Sequence, residues 1–363
     1  MSRPPLPAEE VVKAIERCYP SRVPMLLAQY WNPPDAFGDR AAQVRALQDE
    51  YPQDAYFVRV RRPLIWEDPR SPTYIPGYTW MHAPPPPGEP VRNAPDSSLA
   101  ITDWSMLDAI LDHWPDANQP RAFEATPAEA RALAGSRYLG IYWAYCLYER
   151  LWTLRGMENI MCDFYEHPRS VHRLLDAITD FHCTIIRRGA RELGAQAVWT
   201  TDDIGMQTGP MFSLAIFREF FKERYARMIR TAHDNGMHFW LHSCGNIELF
   251  LDDLVEIGLD VLHPIQKYAM DERKIAARYG DRLSFWAGMD VQQTLPFGTP
   301  REVREEVRFL IDTYDRPEGG CLVTSGNGIT PDVSIDNLRA FYDECYTYGN
   351  EHRRRIAAGK GRA

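Results

Sequence analysis

Five short apolar runs alternate with amphipathic segments through the second half of the chain, and that alternation predicts the fold. Residues 196–203 (QAVWTTDD), 237–242, 259–265, 283–289 (LSFWAGM) and 321–325 each read as a strand. Their apolar positions are too continuous for a sheet with one face in water. Residues 213–235, 249–257, 272–279, 300–313 and 335–348 carry apolar positions at helical spacing. Thr299, just before Pro300, is placed to cap the fourth of these helices. Strands that alternate with helices imply an α/β fold with a parallel sheet.

The first half is less regular but supplies three more apolar runs, at 23–29 (VPMLLAQ), 56–61 and 138–144 (YLGIYWA). Three and five make the eight strands that close a (β/α)8 TIM barrel. An open doubly wound sheet fits less well, because no G-x-G-x-x-G follows the first strand. The whole chain, 1–363, is expected to form a single barrel domain. Between the second and third strands lies an insertion at 62–137, rich in proline (Pro84 to Pro87) and aromatic residues, among them Trp66, Tyr74, Tyr78, Trp80 and Trp104. A connection of that length usually has a function. Two readings stand side by side: a lid over the barrel mouth, or a surface excursion that meets another subunit.

Composition narrows the function classes. The chain has 45% hydrophobic and 25% charged residues, an ordinary balance for a well-cored globular protein. Its net charge is −9 and it has no basic run beyond Arg353-Arg354-Arg355, which argues against a nucleic-acid partner. No apolar stretch approaches the roughly 20 residues that span a bilayer, and the first residues lack the apolar core of a signal peptide. Seven cysteines without regular spacing suit reduced thiols, so a cytoplasmic enzyme is expected. Nothing here decides whether it is a homo-oligomer.

Candidate chemistry collects at the predicted strand ends, the edge where parallel α/β enzymes work. The run at 237–242 closes in His242-Ser243-Cys244-Gly245, placing an imidazole and a thiol two residues apart. Both are ligands suited to zinc. Asp202, Asp203 and Gln207 follow the preceding strand, His263 and Gln266 the next, then Asp290 and Gln292, and finally Asn327. Each also has a plainer reading: aspartates cap turns, and glutamines satisfy loop backbone.

The segments DDIGMQTGPMFSLAIFREFFKERYARMIRTAHDNGMHFWLHSCGNI, EIGLDVLHPIQ, GMDVQQTLPFGTPREVREEV and SGNGITPDVSIDNLRAF resemble the uroporphyrinogen decarboxylase superfamily over about residues 145–350. That superfamily includes cobamide-dependent methyltransferases, and the resemblance implies a TIM barrel with its site at the strand C-termini. True uroporphyrinogen decarboxylases carry an arginine-rich motif by an early strand to grip carboxylates. No such cluster occurs at 23–34 here, and the histidine of their G-H-G-x-x-P-D motif is replaced by Asn327.

The methyltransferase branch is the nearer match. It uses H-x-C plus a distant cysteine to hold zinc, and His242 and Cys244 fit H-x-C. The position of the distant cysteine is Asn327, while Cys321 lies six residues earlier, about 20 Å away along an extended strand. Cys321 therefore reads as a core thiol. Asp203, His263, Glu149 and Cys146 are the candidates to complete a metal site, and a metal-free reading with Cys244 as a pocket wall stays open. The resemblance implies a methyltransferase or demethylase that moves a methyl group from a small methylated substrate, such as a methoxylated aromatic, to a corrinoid protein. The chain has no corrinoid-binding D-x-H-x-x-G, so the cobamide would arrive on a separate partner. His242, Asp203 and Asp290 are then the candidate catalytic residues, with Gln207, Gln266 and Asn327 positioning substrate. The alternative is a metal-independent decarboxylase or lyase acting on a small non-tetrapyrrole acid.

Overall fold

The apolar runs of the chain pair side by side. A computed structural model describes residues 3–27, 33–51, 53–61 and 99–360. Seven strands form one sheet, β1 (Ala55–Arg59), β2 (Tyr138–Trp143), β3 (Ala197–Thr201), β4 (His238–His242), β5 (Val261–His263), β6 (Ser284–Met289) and β7 (Cys321–Ser325). They lie in sequence order and every neighbouring pair is parallel, a TIM-barrel-like arrangement.

Among the described residues 23–27 of the first expected strand there is a single bridge, Met25 to Val323, parallel to β7. Pro24 has no N–H, so the ladder cannot extend backwards through it. The segment nonetheless sits between the two edges of the sheet. Leu26 N–H donates to Val323 O at 3.0 Å, and Asp54 N–H, just before β1, donates to Met25 O at 2.9 Å. Asp54 locks this seam. Its buried carboxylate takes a two-pronged grip from Arg22, 2.8 Å at each oxygen, and also accepts from the N–H groups of Leu6 and Met25. Residues 28 and 29 of the expected strand lie outside the described residues.

A helix not anticipated from sequence, Ala8–Ile15, closes the floor of the barrel. Leu6, Val11 and Ile15 pack into the lumen against Trp240, Val261, Trp286 and Leu322. The expected helix at 213–235 forms without interruption from Leu214 to His233, with Ser213 as N-cap and a π-helical turn at Phe217–Lys222. Pro300–Tyr314 starts with the expected capping box between Thr299 and Glu302. The last helix, Ile335–Lys360, runs a further three turns beyond expectation. Its extension is held by buried Arg353, which reaches Pro20 O and Asp315. Of the insertion, residues 62–98 lie outside the described residues; the remainder includes the short helices Leu107–Asp112 and Pro127–Ala134.

His182 on the long helix Pro168–Arg188 shows how tightly the outer layer is packed. Its ring stacks on Trp143 at 4.7 Å and its Nε2–H donates to Cys146 O at 3.1 Å, while Nδ1 is buried. Burial holds this imidazole neutral, with its pKa lowered from 6.5 to about 3. The unfolded chain therefore binds a proton that the fold refuses, and stability falls as pH drops from about 6.5 towards 3. His182→Phe is expected to keep the stack, to lose about 1–3 kcal/mol at pH 7 from the orphaned carbonyl, and to flatten that acid slope. Denaturant titrations at several pH values test this; an unchanged slope would contradict it.

Candidate functional site

The site begins in a backbone contact. Directly after β4, Gly245 adopts φ +80°, and a Cβ there would lie 2.3 Å from the carbonyl carbon of Gly205. The loops after β3 and β4 thus touch backbone to backbone, with Asn246 N–H donating to Met206 O at 2.7 Å. Two side chains tie the seam. Ser243 Oγ accepts from Ile204 N–H at 3.1 Å, and Asp203 Oδ1 accepts from Cys244 N–H at 2.8 Å. Gln266 Oε1 accepts from Gly245 N–H at 2.6 Å, and its amide donates to Gln207 at 3.3 Å. This network sets the direction of Cys244.

A second network sets the proton positions on His242. His263 Nε2 lies 2.9 Å from Ser325 O, which can only accept, so His263 carries its proton on Nε2. Burial keeps His263 neutral, lowering its pKa well below the usual range. Its Nδ1 must then accept, and the donor 2.6 Å away is His242 Nδ1–H. His242, also lowered by burial, is left with a bare lone pair on Nε2. That nitrogen stands 3.4 Å from Cys244 Sγ and 3.6 Å from Asp203 Oδ1.

Among the described residues, Asp203, His242 and Cys244 are the group whose ligand atoms converge, all within 4.8 Å of one another. Tetrahedral zinc with ordinary bond lengths separates its N, O and S ligands by about 3.4–3.6 Å. The two measured separations therefore fit, as does the tautomer, since a ligating imidazole gives its other N–H to a second acceptor. The thiol supplies a further sign. Burial, with Asp203 beside it, pushes Cys244 well above its usual pKa, so without a cation it stays protonated. Asn327 Nδ2–H donates to its sulfur at 3.2 Å, a contact that favours the thiolate.

The other expected residues divide. Asp202 is a structural cap: its carboxylate accepts from Leu147, Tyr148 and Glu149 N–H at 2.8–3.2 Å and from the Tyr225 hydroxyl. Asp290 lines a cavity of about 390 Å³ beside Cys244, Gln266, Met289, Gln292 and Asn327. Its oxygens are engaged by Gln292 N–H, Thr294 N–H and the Tyr268 hydroxyl. Glu149 lies outside the converging group; it is buried, accepts from Thr201 Oγ1 at 2.9 Å, and burial beside Asp203 and Asp202 pushes its pKa well above the usual carboxylate range. Cys146 is packed against Met228, and Cys321 is buried at the opening of β7, at the opposite end from Ser325. His263, a sequence candidate to complete the metal site, instead stands behind His242, with its ring nitrogens engaged by His242 Nδ1 and Ser325 O.

Comparison with known proteins bears on this cluster. The uroporphyrinogen decarboxylase (URO-D) family pattern matches residues 151–348, more than half of the chain. A uroporphyrinogen decarboxylase of Actinobacillus succinogenes is 26% identical over 203 residues, covering 54% of each chain. A methylated-thiol–coenzyme M methyltransferase of Methanosarcina mazei is 24% identical over 53% of this chain and 48% of its own. This chain therefore spans about half the length of those curated relatives. A solved methyltransferase from Methanosarcina mazei superposes with a TM-score of 0.61 at 15% identity, over 93% of this chain and 97% of that one. At that identity the likeness speaks for the fold.

The backbone seam gives a direct test. Gly245→Ala would force both a positive φ and a clash with backbone, so it is expected to cost about 3 kcal/mol or more. Thermal and denaturant unfolding measure this; a loss within about 0.5 kcal/mol would show the seam to be loose.

Proposed function

This chain belongs to the uroporphyrinogen decarboxylase family, and we propose that within it the protein works as a methyltransferase. It would take a methyl group from a small methylated substrate and pass it to a corrinoid carried by a separate protein. The observation that supports this most is the His242–Cys244–Asp203 donor set, whose lone pair, thiol and carboxylate converge within 4.8 Å of one another. The methyltransferase relative supports the same reading.

In this reading His242 Nε2, Cys244 Sγ and an oxygen of Asp203 hold zinc. Zinc bound there would supply Lewis-acid polarisation of the heteroatom that bears the methyl group. The surrounding residues do the rest. His263 and Ser325 keep the His242 lone pair on Nε2. Asn327 steadies the sulfur, and Gln266 with Gln207 fixes the loop that carries it. The cavity beside Cys244 receives the substrate, with Asp290 and Gln292 on its far wall. Among the described residues no helix is long and apolar enough to cross a membrane.

The metal content of the purified full chain tests the reading. About one zinc per chain is expected, falling by tenfold or more in affinity for His242→Ala, Cys244→Ser and Asp203→Asn. Cobalt substitution should give a sulfur-to-metal absorption band that Cys244→Ser abolishes. Zinc below about 0.2 per chain after zinc-supplemented expression would overturn the metal site and favour the metal-independent decarboxylase.

A further inference from the structure

The cavity beside Cys244 commits its polar groups to one another. Asp290 is the carboxylate on its wall. One oxygen accepts from Gln292 N–H at 2.8 Å, the other from Thr294 N–H at 3.0 Å and the Tyr268 hydroxyl at 3.2 Å. Gln293 N–H and the Thr294 hydroxyl crowd the same oxygens at 3.4 and 3.3 Å. Among the described residues Lys267 is the one cation on the wall, and it donates to Glu306 at 2.5 Å. Glu306 is buried behind it, and its other oxygen accepts from Asp290 N–H at 3.0 Å. Two carboxylates and one ammonium thus form a closed set. The neutral groups are engaged as well. Asn327 is held between Cys244 Sγ and Gly328 N–H, Gln266 between Gly245 N–H and Gln207, and the Thr330 hydroxyl by Asp332.

This closure decides which ligand charge the cavity accepts. An anion that enters gives up water and meets no unmatched cation, because the single ammonium is outnumbered by Asp290 and Glu306. A cation fares no better. Both oxygens of Asp290 are already filled by donors, and no aromatic ring stands on the wall to face it. An ion left without a partner is far more costly to bury than a neutral group of the same shape. The rest of the wall is glycine backbone and apolar side chain, with Pro264, Met289 and Val291 among it. Such a lining, around about 390 Å³, selects by size and by the absence of charge.

We infer that the substrate which enters this cavity is uncharged, and that the matched Lys267–Glu306–Asp290 set enforces this by denying an ion any partner. The reacting heteroatom then makes the one strong contact, at the Cys244 end. This deepens the methyl-transfer reading by naming the charge class of the substrate, and it rests on that reading for the chemistry alone. It stands against an acid as the substrate.

Binding to the zinc-free full chain, with no methyl acceptor present, tests the selection apart from the reaction. Three probes share a shape and differ in charge: 2-methoxyacetamide, methoxyacetate and 2-methoxyethylammonium. Ligand-observed NMR suits the roughly millimolar affinity of so few heavy atoms. The amide is expected to bind at least about tenfold more tightly than either ion. Glu306→Gln keeps an acceptor for Asp290 N–H and sets Lys267 free, so it should raise methoxyacetate binding by about tenfold or more. Tyr268→Phe, at an exposed position, opens one place on Asp290 and should raise 2-methoxyethylammonium binding by about tenfold. Either ion binding as tightly as the amide, no binding of the amide, or an unchanged preference in either folded variant would overturn the inference. The expected preferences in a protein that transfers no methyl group would uphold the selection and reject the reaction.

Discussion

A single hydrogen bond orders the centre of this protein. His263 Nε2–H is given to the carbonyl of Ser325, and a carbonyl cannot give a proton back. Everything above it follows. Burial lowers the pKa of both imidazoles, and with His263 Nε2–H given to Ser325 the donor in the 2.6 Å contact between their Nδ1 atoms is His242. That arrangement turns the lone pair of His242 towards Cys244 and Asp203. The barrel makes the relay possible, because β4, β5 and β7 deliver His242, His263 and Ser325 to one mouth from positions 21 and 62 residues apart. Met289 and Ser325 are paired in register, so the carbonyl that starts the relay belongs to the sheet itself.

The donor set has departed from the pattern its resemblance suggests. Where the methyltransferase branch is expected to carry a second cysteine after the last strand, Asn327 gives its amide N–H to the sulfur of Cys244 instead. The third donor comes from the other side, from Asp203 at the end of β3, brought in by the Gly205–Gly245 contact. In the proposed metal site a carboxylate oxygen would stand where a second thiolate is expected, and an amide lies over the thiol. The lumen beneath is a floor of indole and phenol rings with an arginine at its rim.

Much of this was legible in the chain, and the failures have physical causes. The strands β2 to β7 announced themselves because both their faces are buried, which leaves an unbroken apolar run. The first strand misled because apolar residues around Pro24 look like a strand while the missing N–H allows one bridge. The floor helix Ala8–Ile15 was passed over because its apolar face matters only once there is a barrel to plug. At the site, His-x-Cys and the acidic pair after β3 stood out by residue type. Which aspartate does what did not: Asp202 turns inward to cap the helix Tyr148–Arg155, and its neighbour Asp203 faces the mouth. Alternation along a strand end decides that, and it depends on where the strand stops. The relay through His263 depends on a backbone carbonyl 62 residues away, which no local pattern encodes.

The claim on which the account rests is the protonation of two rings, and ring nitrogen chemical shifts report it directly. In protein labelled with 15N histidine, with the ten histidines assigned through single variants, the metal-free chain at neutral pH should show His263 protonated at Nε2 and His242 at Nδ1. A proton on Nε2 of His242, or on both nitrogens of either ring, would remove the lone pair from the site and contradict the account.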